Sequence, residues 1–328
     1  MDLCACSGQE EPGLLRVATD DASVLLAVDD AVWLREGVDT ACCDVSGHGL
    51  AYAVPGAVNT FDVAVCDASG NVVDALEAGD VTVCVEGAEA VSVALSAPGR
   101  VCVCYQGALP RHAEPVALSV SVCGVAVPGC PWIVACPLGD SDILAGVPSE
   151  TRIAFMHALT MEWLPTCRDF SLLYRGTRDG MTPLAFHSHC DGKGPTLVLI
   201  RCDKGYVFGG YAGASWTSRD FTFVASDDAF VLSVFGPHSA APVRFPSPPK
   251  DARGVNGAAM LCHSASGPVF FGGVGVQTCG DEPEGVFDGG CFCDIGDYFE
   301  DVLGEGKNSL TGHCFFTPVE LEVFQCLL

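Results

Sequence analysis

Basic residues are scarce in this chain: 16 Lys and Arg stand against 41 Asp and Glu, a formal net charge of −25 over 328 residues. Such a field repels nucleic-acid phosphates and anionic lipid headgroups, and no Lys/Arg cluster is present to override it locally. Both halves of the chain are acidic, which suits solubility and a basic partner equally well. Long hydrophobic runs are missing too. No stretch of about 18 apolar residues runs without Gly, Pro or a charge, so membrane insertion is not expected. The opening MDLCACSGQEEPG lacks the basic and apolar segments of a secretory leader, and the expectation is a soluble cytoplasmic protein. Signature loops of common enzyme classes are also lacking. G-x-x-x-x-G-K-[ST] does not occur, no G-x-G-x-x-G follows a strand and opens a helix, and there is no G-x-S-x-G elbow.

Cysteine, by contrast, is abundant, at 20 residues. Many sit in strand-like apolar runs (Cys66, Cys84, Cys102, Cys104, Cys202), where a reduced thiol acts as a small core hydrophobe. No C-x-x-C occurs, and Cys291 and Cys293 are one residue apart, so structural zinc is disfavoured there. The H-x-H-C of His187, His189 and Cys190 likewise lacks a second ligand pair. His187 and Cys190 have the i, i+3 spacing of a base and a nucleophile on one helix face. Among 20 Cys and 8 His, one such neighbour is a chance event. The expectation is therefore no metal, no cofactor and no catalytic residue. A thiol-based redox sensor is kept as the alternative from another class. It needs an exposed, low-pKa thiol, and Cys190, Cys291 and Cys293 are its least strand-like candidates.

Between Cys43 and Pro137, short apolar stretches are broken every ten or so residues by Gly, Pro, Asp or Asn. NTFDVAVCDASGNVV, VTVCVEG, VSVALSAPG, RVCVCYQG and VALSVSVCG all read as short strands of an antiparallel sandwich. GHGLAYAVPGAVNTFDVAVCDASGN resembles the opening of a filamin-type repeat, and VALSVSVCGVAVPGCPWIVAC its closing hairpin, with Cys130 and Trp132 at the usual Ser and Phe. Val101 replaces the first aromatic of the central strand. The resemblance covers about 44–137 and implies an immunoglobulin-like protein-binding or spacer module. Before it, residues 1–43 are poorly defined, with SVLLAVDDAVWL legible as a strand pair or one buried strand.

Beyond Pro137, SETRIAFMHALTMEWL places Ile153, Met156 and Leu159 at helical spacing, which predicts about three helical turns capped by Ser149 and stopped near Pro165. PLAFHSHC predicts a short helix. TLVLIRCDKGYVFGGY predicts a hairpin turning at Asp203-Lys204-Gly205, with Gly209-Gly210 allowing close backbone approach. The run LLYRGTRDGMTPLAFHSHCDGKGPTLVLIRCDKGYVFGGYAGASWTS resembles the TLDc domain, as do AFVLSVFGP, GPVFFGG and the closing LTGHCFFTPVELEVF. That resemblance covers about 140–328 and departs most at 274–308, a Gly- and Asp-rich run with an acidic, helix-like segment.

The expected fold class is mainly β. A filamin-type immunoglobulin-like β-sandwich (44–137) is followed by a TLDc α+β domain (138–328), a central antiparallel β-sandwich flanked by short helices. By resemblance, the TLDc domain implies a non-catalytic adaptor linked to oxidative-stress protection or to regulation of the vacuolar proton-pumping ATPase. Candidate partner-binding or structural residues are Arg175, Arg178, Asp179, His187, Lys193, Trp216, Glu320 and Glu322. Arg175, Arg178 and Asp179 read as loop-bracing ion pairs, and Lys193 as a turn residue. Glu320 and Glu322 share one strand face, as a partner-contact surface or as internal salt bridges.

Overall fold

The computed structural model describes residues 38–106, 116–247, 259–278, 284–288, 290–296 and 298–328. The strand reading of SVLLAVDDAVWL lies outside the described residues. The N-terminal part runs β1 (Asp44–Ser46), α1 (His48–Ala51), β2 (Asn59–Ala64), β3 (Val81–Val85), β4 (Ala90–Ala97), β5 (Arg100–Gln106), β6 (Val116–Val122), β7 (Val125–Ala126) and β8 (Trp132–Val134). Two antiparallel sheets result, β1-β2-β5-β4 and β3-β6-β7, with β8 also pairing with β6. The period-two alternation decides which side chains meet. Phe61 and Val63 of β2, Val101, Val103 and Tyr105 of β5, and Val116, Leu118, Val120 and Val122 of β6 all point into one buried core. At the expected turn, Asp67 accepts hydrogen bonds from the Ser69 and Asn71 amides at 2.8 and 2.9 Å, the side-chain chemistry that lets Asp start a turn.

The C-terminal part begins with α2 (Asp142–Ala145) and α3 (Ser149–His157). The helix read from SETRIAFMHALTMEWL does form, but its ends differ from expectation. Pro148 holds the cap position and Ser149 is the first helical residue, while Ser141 caps the preceding helix by accepting from Leu144 N–H at 3.0 Å. Beyond His157 the chain widens into a π-helical stretch, Ala158–Trp163, where the Leu164 amide reaches back to the Leu159 carbonyl at 2.8 Å. Pro165 then bars continuation.

Next come β9 (Asp169–Arg175), α4 (Gly176–Asp179), α5 (Pro183–Cys190), β10 (Thr196–Cys202), β11 (Val207–Ala212), β12 (Thr222–Ala225), β13 (Phe230–Phe235), β14 (Val243–Pro246), β15 (Ala259–Cys262), β16 (Ser266–Phe270), β17 (Val274–Gln277), β18 (Phe292–Cys293) and β19 (Pro318–Leu327). They form a six-stranded sheet, β14-β13-β11-β10-β19-β9, facing a five-stranded one, β12-β15-β16-β17-β18. The chain is thus mainly β, with antiparallel sheets throughout. The helix-like reading of the acidic stretch in 274–308 is corrected: its described residues hold two short strands and a single 3-10 turn, Gly306–Asn308. There the Asp301 carboxylate accepts from the Gly304 and Gly306 amides at 3.0 and 2.7 Å, so a side chain takes the backbone donors that a helix would use.

The six-stranded sheet is covered on both faces, which explains why β10 carries four consecutive apolar residues, Leu197 to Ile200. Val198, Ile200, Leu321 and Val323 pack against Met260, Phe270 and Val276 of the second sheet. Leu197, Leu199, Leu232 and Phe324, on the other face, pack against Leu144, Phe155, Met156 and Leu159. Each such side chain contributes about 1.5–3 kcal/mol by leaving water. The β10–β11 turn carries Gly205 at φ +81°, and in β11 a Cβ on Gly209 would fall 1.9 Å from the Val198 carbonyl oxygen. Only glycine allows that backbone approach.

Tyr52, Val54 and Ala57 of the N-terminal part belong to this helix-side core as well. Asn59, itself fully buried, shapes the loop that delivers them: its Oδ1 accepts from Val54 N–H at 2.8 Å, and its Nδ2 donates to the Val54 and Ala57 carbonyls at 3.3 Å. The Arg152 guanidinium on α3 donates to the Pro55 carbonyl at 2.8 Å, and the Tyr52 hydroxyl donates to the Ile153 carbonyl at 3.4 Å. The two strand-rich parts therefore share a core.

Candidate functional site

Strand alternation on β19 puts Glu320, Glu322, Phe324 and Cys326 on its helix-side face, where the neighbouring strand β9 ends in Arg175 and α2 begins at Ser141. Glu322 is fully buried and Glu320 nearly so. The Arg175 Nε lies 2.9 Å from Glu322 Oε1, its Nη1 lies 2.9 Å from Asp142 Oδ2, and its Nη2 donates to the Asp140 carbonyl. All three guanidinium nitrogens are engaged. Ser141 Oγ donates to Glu322 Oε2 at 2.5 Å, and the Asp142 amide donates to Oε1 at 2.9 Å. Burial pushes the Glu322 carboxyl above the usual carboxylate range, while Ser141, the Asp142 amide and Arg175 pull it back.

Glu320 is held similarly. It accepts from the Thr177 amide at 3.0 Å, from the Thr177 hydroxyl, and from the Leu321 amide at 3.0 Å. One loop further, Arg178 forks onto Asp179 at 2.8 and 2.7 Å, and Asp179 accepts from the Arg175 amide at 2.9 Å. The Arg178 hydrogen bonds hold the Asp179 carboxyl below its ordinary value. Of the two readings of Glu320 and Glu322, Glu322 is ion-paired internally with Arg175, while Glu320 is held inside by the neutral Thr177 and Leu321 donors. The chemistry available to this cluster is to fix α2, the β9–α4 corner and β19 in one arrangement.

The remaining motif residues fall into a second group. His187 on α5 is buried; its Nδ1 lies 2.7 Å from Asp191 Oδ1 and its Nε2 lies 2.9 Å from the His263 carbonyl. Burial pulls its pKa down, but the Asp191 carboxylate and the carbonyl outweigh that, so the imidazole sits above its ordinary value. With both ring nitrogens bonded, it has none left to act as base for Cys190. Trp216 is buried, donates to Thr196 Oγ1 at 2.8 Å and stands edge-on to Phe186 and Phe270 at 5.6 Å. Lys193 is exposed at the turn after α5. Cys190, Cys291 and Cys293 are all buried, and burial raises the thiols of Cys190 and, to about 12, of Cys293. The three thiols thus lack the exposure that oxidant sensing requires. Among the described residues, no cluster of three or more His, Cys, Asp or Glu side chains could hold a metal ion.

Sequence reasoning missed Ser141, Asp142 and Arg152, which close the network and the junction. The S-D-I-L pattern of an N-cap before an apolar turn was the available signal for the first two. Arg152 lines a cleft of about 410 Å³ between the two parts, with Ser141 and Met156 on one side and Val54, Pro55 and Gln106 on the other.

The corner built from the L-Y-R-x-T-R-D-G segment and the V-E-L-E-V-F strand stands where the motifs place it, and the TLDc domain family model matches residues 152–327. The chain belongs to the TLDc domain family. The MTOR-associated protein MEAK7 of Danio rerio is 39% identical over 46 residues, which is 14% of this chain and 10% of that protein. The match thus spans about a tenth of that relative's length. Among solved structures, the Lin-41 filamin domain shares 21% identity, covering 31% of this chain and 99% of that one at a TM-score of 0.27. The Yersinia pseudotuberculosis adhesin InvE shares 11%, covering 88% and 53%, at a TM-score of 0.26. Similarity at these scores bears on neither fold nor function. No helix among the described residues of this TLDc chain is long and apolar enough to cross a membrane.

Proposed function

We propose that this TLDc chain is a non-catalytic cytoplasmic adaptor that uses its two joined parts as one rigid surface for a protein partner. The observation that carries this reading is the state of Arg175. All three of its guanidinium nitrogens are spent on Glu322, Asp142 and the Asp140 carbonyl, so this charged cluster braces the fold instead of facing a substrate. The family resemblance supplies the partner class, the peripheral sector of the vacuolar proton-pumping ATPase, and with it a place in oxidative-stress protection. The Danio rerio relative's name associates that protein with MTOR, which makes an MTOR-containing assembly the second candidate.

The N-terminal sandwich is read as a filamin-type repeat. Its support is the two-sheet topology and the motifs at 47–71 and 116–136. A scaffold role through this repeat is favoured by one observation: β4 is an edge strand that leaves Val91 and Leu95 39% and 49% exposed, a surface to which an extended peptide can add. The test is affinity capture with the full 328-residue chain as bait, followed by mass spectrometry. Enrichment of proton-pump subunits, lost on 0.5 M salt if an acidic surface carries the contact, is the expected outcome. Enrichment of a small-molecule-processing complex with substrate turnover by the chain itself would overturn the adaptor reading.

A further inference from the structure

One thiol pair in the TLDc domain differs from the buried cysteines above. Cys167 follows the π-helical stretch, where its amide donates to the Leu164 carbonyl at 3.0 Å, and it stands two residues before β9, the edge strand of the six-stranded sheet. Cys326 lies near the end of β19, in register with Phe170 of β9, and its amide donates to the Pro195 carbonyl at 2.9 Å. The Arg168 amide ties the same corner to the Leu327 carbonyl at 2.7 Å. Both residues belong to the helix-side core, Cys326 buried and Cys167 partly exposed, and the Cys167 thiol donates to the Asp169 carbonyl at 3.2 Å.

We propose that Cys167 and Cys326 are a modification site: a dithiol that a hydroperoxide oxidises to an intrachain disulfide, fastening edge strand β9 to β19.

The geometry divides the roles. Cys167 reaches solvent and is the attacking thiol; Cys326, behind it, resolves. Electrostatics agree with that division. The hydrogen bond from Cys326 stabilises the Cys167 thiolate and moves its pKa down against the pull of burial, whereas the Cys167 contact and burial move Cys326 up. Among the described cysteines with a resolved shift, Cys167 is the one moved down, and the others, Cys42, Cys43 and Cys326 included, all move up.

Cys167 as thiolate attacks the terminal oxygen of the hydroperoxide. The O–O bond breaks, the sulfur becomes a sulfenic acid, and the leaving oxygen takes up the proton that Cys167 released. The Cys326 sulfur then attacks the sulfenic sulfur, the S–O bond breaks, and the departing hydroxide takes the Cys326 proton as water. Two thiols lose two electrons and one hydroperoxide gains them, yielding a disulfide, a water, and a second water or an alcohol.

The test is peptide mapping of the full chain after a few equivalents of hydrogen peroxide at neutral pH, with free thiols alkylated and the digest run without reductant. A Cys167–Cys326 linked peptide should form ahead of any other cysteine product and vanish with dithiothreitol. The C326S variant should trap a dimedone-reactive sulfenic acid on Cys167, and C167S should leave Cys326 alkylatable. The oxidised wild type should also melt several degrees above the reduced protein, a difference that C326S lacks. Full alkylation of both residues while other cysteines oxidise would overturn the proposal in the wild-type protein alone, whether or not either variant folds.

Discussion

Replacing Arg175 with Met keeps much of the side chain's volume and removes the counter-charge of a carboxylate that has no access to water. Glu322 is fully buried and Arg175 only 15% exposed, so this pair belongs with buried ion pairs. After the change, Glu322 keeps the Ser141 hydroxyl and the Asp142 amide but no cation. Stranding a buried charge in this way costs about 3–5 kcal/mol. Against a typical total of about 5–15 kcal/mol, that is a large share of the stability. With a urea dependence of about 2 kcal/mol per molar, the unfolding midpoint of R175M falls by about 2 M. Tryptophan fluorescence of buried Trp216 provides the assay. The deficit shrinks as the pH is lowered, because a protonated Glu322 needs no counter-charge. R175M combined with E322L recovers most of the loss, since removing both partners of a buried pair is close to neutral. A shift no larger than the ~0–1 kcal/mol of an exposed pair, or a double variant no better than R175M, refutes the reasoning.

Three further outcomes follow from other contacts. In D191N, His187 loses the carboxylate that holds its pKa up, and NMR titration should find it lower than in the wild type, because only backbone hydrogen bonds then oppose burial. In the wild type, His187 contributes stability that is full below about pH 6.5 and is lost as pH rises through its elevated pKa; D191N should weaken that slope. G209A places a methyl 1.9 Å from the Val198 carbonyl oxygen, and circular dichroism melting should show a loss of about 3 kcal/mol or a failure to fold, since backbone cannot step aside as a side chain can. N59A leaves the Val54 amide without its side-chain partner, and about 1–3 kcal/mol of local stability should go. Hydrogen exchange read by mass spectrometry should then speed up at 53–58 and not at 196–212.

Much of the fold was legible because its signals are local. The alternation in VALSVSV, the Asp67 turn and the apolar run within TLVLIRC each state a strand or a turn within a few residues, and PLAFHSHC forms a helix over its whole length. The ends of the 149–163 helix were less legible. Ser149 and Pro148 compete for one cap, and the π-helical widening is registered only where Leu164 finds its acceptor. The acidic stretch near 301 misled for the converse reason: Asp301 spends its carboxylate on backbone amides, and periodicity does not report that. At the site, the Arg178–Asp179 pair was readable from adjacency. That Glu322 meets Ser141 and Asp142, some 180 residues away, was not, because only tertiary packing brings α2 over β19. The same holds for Cys167 and Cys326. Each looks like an ordinary core cysteine in its own segment, and their corner is closed only across the β9–β19 edge, where the Arg168 amide reaches the Leu327 carbonyl.

The central claim is that this TLDc chain works by binding. Its most direct test is co-sedimentation of the purified 328-residue chain with the purified peripheral sector of the vacuolar proton-pumping ATPase, titrated through the micromolar range at physiological salt. The account predicts saturable co-sedimentation at micromolar concentration or tighter, with R178A, which leaves the buried Arg175–Glu322 pair intact, still folded and still bound. No co-sedimentation at tens of micromolar would contradict it.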